Sequence, residues 1–131
     1  MSITAHPFVM FQGDAAAALD LYVAAIPGAR VEGLAHHGPE AGPAEGQIAA
    51  ALLIVGGLAI RCFDSPVKHA FGFTPAVSFF LDCTSEEELR ATAAALGDGG
   101  QVLMAIGDYG FSRCFTWIND RFGVSWQINL P

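Results

Sequence analysis

Three cysteines, four histidines and thirteen carboxylates are the groups in this 131-residue chain best suited to chemistry, and their spacing limits what that chemistry can be. Cys62, Cys83 and Cys114 are odd in number and lack any C-x-x-C spacing. Neither a zinc site nor a disulfide framework is expected of them. Their expected place is the core, as small apolar side chains. His36 and His37 open a stretch rich in Pro and Gly that also carries Glu40 and Glu45. Adjacent histidines in such a loop read as solvent-exposed, with weak adventitious metal binding as the other reading. Gly97-Asp98-Gly99-Gly100 follows a helical stretch and not a strand, the wrong context for a loop that cradles a nucleotide-type cofactor. No Ser/His/Asp or Cys/His set is placed by spacing.

Charge narrows the partners. Six Lys and Arg stand against thirteen Asp and Glu, a formal charge of −7. Binding to nucleic acid rests on basic residues that neutralise phosphates, so that class is excluded. No apolar run is long enough to span a bilayer, and the first residues lack the basic region and cleavage site of a secretory signal. With the cysteine usage, a cytoplasmic protein is expected. The length suits one domain with a real core and not two independent ones.

The elements that must position any site come as two rough copies of one plan, Pro7 to about Phe63 and Ala76 to about Asn129. Pro7 matches Ala76 with a shift of 69 residues, and Gly57 matches Gly123 with a shift of 66. Each copy opens with an apolar strand, in Ile3 to Phe11 and in Ala76 to Cys83. A helix follows. Asp14 is a natural N-cap for Ala15 to about Ile26, whose Leu19, Tyr22, Val23 and Ile26 make one apolar face. Thr84-Ser85 with Glu86, Glu87 and Glu88 opens the second helix, which ends near Leu96 before Gly97. Ala29 to about His36 is the next strand. Gln47–Val55 and Leu58–Phe63 form a hairpin around Gly56-Gly57. Gln101 to Ile106, Cys114 to Ile118 and Val124 to Leu130 are the remaining strands. The connector Ser65 to Phe73 should tuck Phe71 and Phe73 against the core. The order β-α-β-β-β occurs twice.

These segments carry a resemblance across essentially the whole chain. Phe8-Val-Met-Phe-Gln-Gly-Asp14, Ala18-Leu-Asp-Leu-Tyr22, Pro27-Gly-Ala-Arg-Val31 and Phe73-Thr-Pro-Ala-Val-Ser-Phe-Phe80 resemble PhnB-like proteins. The closing Trp117-Ile-Asn-Asp-Arg-Phe-Gly-Val-Ser-Trp-Gln-Ile128 resembles their last hairpin closely. That family sits in the vicinal-oxygen-chelate superfamily with glyoxalase I, extradiol dioxygenases and fosfomycin-resistance proteins. Many members bear the name 3-demethylubiquinone-9 3-methyltransferase. The resemblance implies an α+β fold, a single domain over 1–131. Two βαβββ modules, about 3–64 and 74–130, would form a half-barrel cup, usually in a bacterial homodimer. It does not fix an activity, because one fold hosts many.

Catalytic members of the superfamily hold a divalent metal with His and Glu from four inward strand positions. In this chain the resemblance puts Pro7, Arg61, Ala76 and Gln127 there, so no metal and no cofactor are expected. Inward positions share the parity of those four. That places Val9, Phe11, Ala59, Arg61, Phe63, Ser78, Phe80, Ser125, Gln127 and Asn129 on the cup, with Trp117 reaching it and Trp126 facing the other way. The expected ligand contacts are Arg61, Phe63, Ser78, Phe80, Trp117, Gln127 and Asn129. Arg61 either pairs with Asp64, Asp108 or Asp120 as structural support, lies at the rim, or meets an anionic ligand. Metal-free binding of a small anionic or aromatic metabolite is the leading expectation. The alternatives are the named methyl transfer, a metal-dependent isomerase, lyase or dioxygenase, and a ligand-free structural homodimer.

Overall fold

The structure, a computed structural model, describes residues 2–131. The chain divides into two compact units that meet in sequence at His69 and Ala70, inside the connector. In the first, β1 (Phe8–Phe11), α1 (Ala15–Ala25), β2 (Arg30–His36), β3 (Ile48–Val55) and β4 (Leu58–Asp64) form one helix and a four-stranded sheet of order β1-β4-β3-β2. In the second, β5 (Phe79–Asp82), α2 (Glu86–Gly97), β6 (Gln101–Gly107), β7 (Cys114–Asn119) and β8 (Ser125–Leu130) repeat the plan in the order β5-β8-β7-β6. In both sheets the first strand pairs parallel with the last and the other pairs are antiparallel. The expected βαβββ order is therefore present twice. Among the described residues no helix is long and apolar enough to cross a membrane.

Each sheet buries one face under its helix. In the first unit Ile60 and Cys62 of β4 and Leu53 and Val55 of β3 are buried with Leu19, Tyr22 and Ile26. In the second, Trp126, Ile128 and Leu130 of β8 are buried with Leu89 and Leu96 of α2. Side chains alternate along a strand, so the intervening residues point away from the helix. The β3–β4 hairpin turns on Gly56 and Gly57, whose φ angles of 53° and 84° suit the tight turn that its sequence signals.

The helix starts are held differently. Ser85 accepts from Glu88 N at 3.1 Å, the side-chain cap expected for α2. Asp14 occupies the N-cap position of α1, but its side chain makes no capping bond. Asp64 at the end of β4 supplies it instead. One carboxylate oxygen accepts Gly13 N at 2.8 Å and Ala15 N at 3.0 Å, and the other accepts Ile48 N at 3.0 Å. A long-range contact thus replaces the local cap, because a buried carboxylate can satisfy orphan amides of the turn, the helix and β3 together.

The register of the first strands differs from the expected repeat. Phe8 lies beside Arg61 and Phe80 beside Gln127. Phe8 therefore corresponds to Phe80, a match three residues further along than Pro7 with Ala76. An odd slip turns a strand over. Phe8 and Met10, and not Val9 and Phe11, share the face of Arg61 and Phe63. Val9 pairs with Cys62, and Phe11 with Asp64, toward the helix. Phe71 does not tuck in, being 63% exposed, and β5 begins at Phe79 instead of Ala76.

Two outcomes follow. Asp64→Ala leaves three amides without an acceptor and should lower unfolding stability by about 3 kcal/mol or more, read as a fall in urea midpoint with unchanged slope. Asp14→Ala should stay within about 0.5 kcal/mol of the parent, where a capping aspartate would cost about 1 kcal/mol. Separately, burial raises the Cys62 thiol from its usual 9.0 to about 12. The unfolded thiol ionises first, so stability should be intact below pH 9 and fall as pH rises toward 12, by roughly 1.4 kcal/mol per pH unit. Urea titrations at pH 8 and 10.5 should show this decline, and Cys62→Ala should shallow it.

Candidate functional site

The face of the first unit turned away from α1 carries a cross-strand row of Phe8, Arg61, Leu52 and Glu32. Phe63 stands one step along β4, its ring 5.1 Å from that of Phe8. A cleft of about 330 Å³ opens here, lined by Phe8, Gly33, Leu52, Arg61 and Phe63 among others. Arg61 is exposed. Its guanidinium has no hydrogen bond or ion pair among the described residues, whose salt bridges are Arg30–Glu32 at 3.3 Å and Arg90–Glu86 at 2.8 Å. The carboxylates considered as its partners are engaged with backbone. Asp64 holds three amides, Asp108 accepts Gly110 N at 2.8 Å, and Asp120 accepts Phe122 N and Val124 N. Within the first unit, structural pairing of Arg61 with Asp64 is thus corrected.

On the second unit, the face away from α2 carries two such rows. Phe80, Gln127 and Trp117 form one, and Asp82, Asn129 and Phe115 the next. Ser78 joins them, since Gln127 Nε2 donates to its Oγ at 2.7 Å. Trp117 Nε1 donates to Ser125 Oγ at 2.7 Å, and Asn129 Nδ2 to Asp82 Oδ1 at 2.9 Å. Trp126 faces the helix, fully buried, its Nε1 donating to Asp120 Oδ2 at 2.9 Å. Ser78, Phe80, Trp117, Gln127 and Asn129 therefore share one face of their unit, and Arg61 and Phe63 share one face of theirs. The buried Oδ1 atoms of Asn119 and Asn129 have no hydrogen-bond partner among the described residues.

Phe8, Asp82 and Phe115 join these faces without having been read as site residues. Phe8 was lost to the register slip. Asp82 is not among the expected contacts, although the alternation Ser78, Phe80, Asp82 is itself a signal for a shared face. Phe115 has the parity of Trp117 and was available by the same rule.

The four positions at which the resemblance would place metal ligands do not fit a metal here. Pro7 and Ala76 have no donor side chain and the Arg61 guanidinium has no lone pair to give. Gln127 offers only a carbonyl, with its nitrogen committed to Ser78. Among the described residues no three His, Cys, Asp or Glu side chains converge on a common point. The histidine pair is not simply a solvated one. His36 is exposed, but His37 is half-buried and its Nε2 donates to the Asp64 carbonyl at 2.8 Å, tying the loop to the end of β4. A nucleotide-type methyl donor does not fit the strand-to-helix turns either. The β1–α1 turn contributes Gly13, whose amide is already taken by Asp64. In the glycine run after α2, a Cβ on Gly100 would lie 2.1 Å from the Asn119 carbonyl, so the run serves close packing.

A sequence profile for the family described as 3-demethylubiquinone-9 3-methyltransferase matches residues 3–129. None of the curated protein sequences matches the chain. Among solved structures, the PhnB protein of Bacillus cereus, a candidate 3-demethylubiquinone-9 3-methyltransferase, is 36% identical. The alignment covers 98% of this chain and 100% of that one, at a TM-score of 0.90. Protein PA1353 of Pseudomonas aeruginosa is 29% identical over 98% of each chain, with a TM-score of 0.86. The fosfomycin resistance protein FosX of Listeria monocytogenes, 11% identical over 100% of this chain and 94% of its own, shares the fold at a TM-score of 0.66. With its βαβββ units and a match over nearly its whole length, the chain belongs to the PhnB-like family described as 3-demethylubiquinone-9 3-methyltransferase, within the glyoxalase and bleomycin-resistance fold.

Proposed function

We propose that the protein binds a small anionic metabolite with an apolar or aromatic body, without a metal. The anionic group meets Arg61 and the body lies on Phe63 and its neighbour Phe8. Taken by itself, the second unit's face with Ser78, Phe80, Trp117, Gln127 and Asn129 is a separate candidate ligand surface in this proposal. One observation carries it: a guanidinium with no carboxylate or carbonyl partner among the described residues, in an apolar cleft that Phe8 and Phe63 also line. An arginine in such a place has five donors to give, in a fork that matches a carboxylate or phosphonate. Apolar walls with few convergent polar groups are the usual character of a small-molecule site. The methyl transfer in the family's description lacks a matching residue set here, so binding is the reading preferred to turnover. A homodimer is part of the proposal, since β6 ends its sheet with Val102 exposed.

Benzoate and phenylphosphonate serve as probes, titrated by calorimetry at low salt. Saturable binding should weaken by about tenfold to a hundredfold in Arg61→Ala, the loss of one charge-assisted bidentate pair. Arg61→Lys should recover part of it. Equal affinity in the parent and Arg61→Ala would overturn the assignment. Sedimentation velocity on the same samples should give twice the chain mass, and a monomer at micromolar concentration would remove the dimer from the reading.

A further inference from the structure

Each sheet ends at an outer strand paired on one side only, β2 in the first unit and β6 in the second. A free strand edge offers its amides and carbonyls to any other strand, and folded chains defend such edges with charge, proline or bulges. Charge defends β2. Arg30, Glu32 and His36 stand along its seven residues, all three exposed. The seven residues of β6, Gln101-Val-Leu-Met-Ala-Ile-Gly107, hold no charge and no proline. Both edges carry two register irregularities against their neighbours, so bulging does not set them apart.

The helix side of β6 is open as well. Val102 is 62% exposed, and Ala105 is exposed too. The helix α2 lies mainly over β7 and β8. Its small Ala93, Ala94 and Gly97 leave an apolar groove of about 390 Å³ against Val102, Ala105 and Ile106.

From this edge we infer that β6 is the surface on which a second copy of the chain docks, strand against strand and antiparallel. A twofold axis sets a surface against itself, and a strand without charge meets its own reverse copy with no like-charge clash. Full overlap of β6 with its copy centres the axis on Met104. Gln101 then faces the partner's Gly107, and Val102 faces the partner's Ile106. Val102 and Ile106 line one groove, so this register joins apolar side chains on the helix side, once at each end. It also sets Gly100 opposite the partner's Asp108. Arg121 is at that end of β6, since a Cβ on Gly99 would lie 3.4 Å from its Cβ. Arg121 and Asp108 are exposed, and neither has an ion pair among the described residues. Apolar pairing and opposite charge thus select the same register. The inference deepens the homodimer of the proposed function, on which it rests, and requires nothing of the ligand.

Sedimentation velocity on the parent, Val102→Lys and Leu34→Lys tests the edge. Each substitution puts a lysine at an exposed position of an outer strand, so both variants should fold. Val102→Lys should raise the dimer dissociation constant about tenfold or more. Leu34→Lys, on β2, should dimerise as the parent does. A dimer untouched by Val102→Lys would overturn the inference and leave the homodimer standing on another surface, whereas a monomeric parent would overturn both. Charge exchange tests the register. Arg121→Glu and Asp108→Lys each set like charges across the axis and should weaken self-association. Mixed in equal amounts, the two variants regain both opposite pairs. Native mass spectrometry should then show heterodimer above the roughly half that random pairing gives. Random proportions would overturn the register and with it the inference.

Discussion

The Asp64 carboxylate is the constraint on which the first unit depends. It joins the end of β4 to the β1–α1 turn, the first amide of α1 and the start of β3. A carboxylate that must reach three amides on the helix side fixes the parity of its strand. With Asp64, Cys62 and Ile60 turned toward α1, Phe63 and Arg61 have no choice but the other face. The exposure of the guanidinium is thus a consequence of where the buried carboxylate points.

The second unit reaches the same βαβββ arrangement by other means. Ser85 caps its helix locally, and the position of Asp64 is held by Leu130, which is simply buried. Its buried carboxylate is Asp120, which gathers Phe122 N, Val124 N and the Trp126 indole around the β7–β8 turn. Two copies of one backbone plan thus keep their strands in register with different polar contacts. The hydrophobic pattern is common to both, and the residues that satisfy the stray amides are not.

That division explains how much was legible in the sequence. Helices, hairpins and the shared face of Ser78, Phe80, Gln127 and Asn129 came through, because alternation and turn residues are local signals. The cap and the register of β1 required knowledge of a distant partner. Asp14 has the right residue type for a cap and lost the role to Asp64, fifty residues on. The slip that exchanged Val9 and Phe11 for Phe8 and Met10 arose because a parallel pair has no turn to set its register, unlike the Gly56-Gly57 hairpin. Alternation alone puts Asp82 on the face of Ser78 and Phe80, while its bond to Asn129 across the β5–β8 pair is visible only in the structure.

The faces turned away from the helices are where the two units diverge chemically. Toward the helix, every position must fill volume, and β4 and β8 answer with Ile60 and Cys62 and with Trp126 and Ile128. On the opposite face that demand is weaker, and the paired positions hold Arg61 and Gln127, Phe63 and Asn129. One unit presents a cation beside Phe8 and Phe63 that has no partner among the described residues; the other presents a carboxylate and a larger aromatic cluster over a buried carbonyl that lacks a donor there. An unpaired charge costs little where water reaches it, but an orphaned buried carbonyl does cost stability. Asn129 therefore carries a cost that Arg61 does not, offset in part by the bond through which its amide nitrogen holds Asp82.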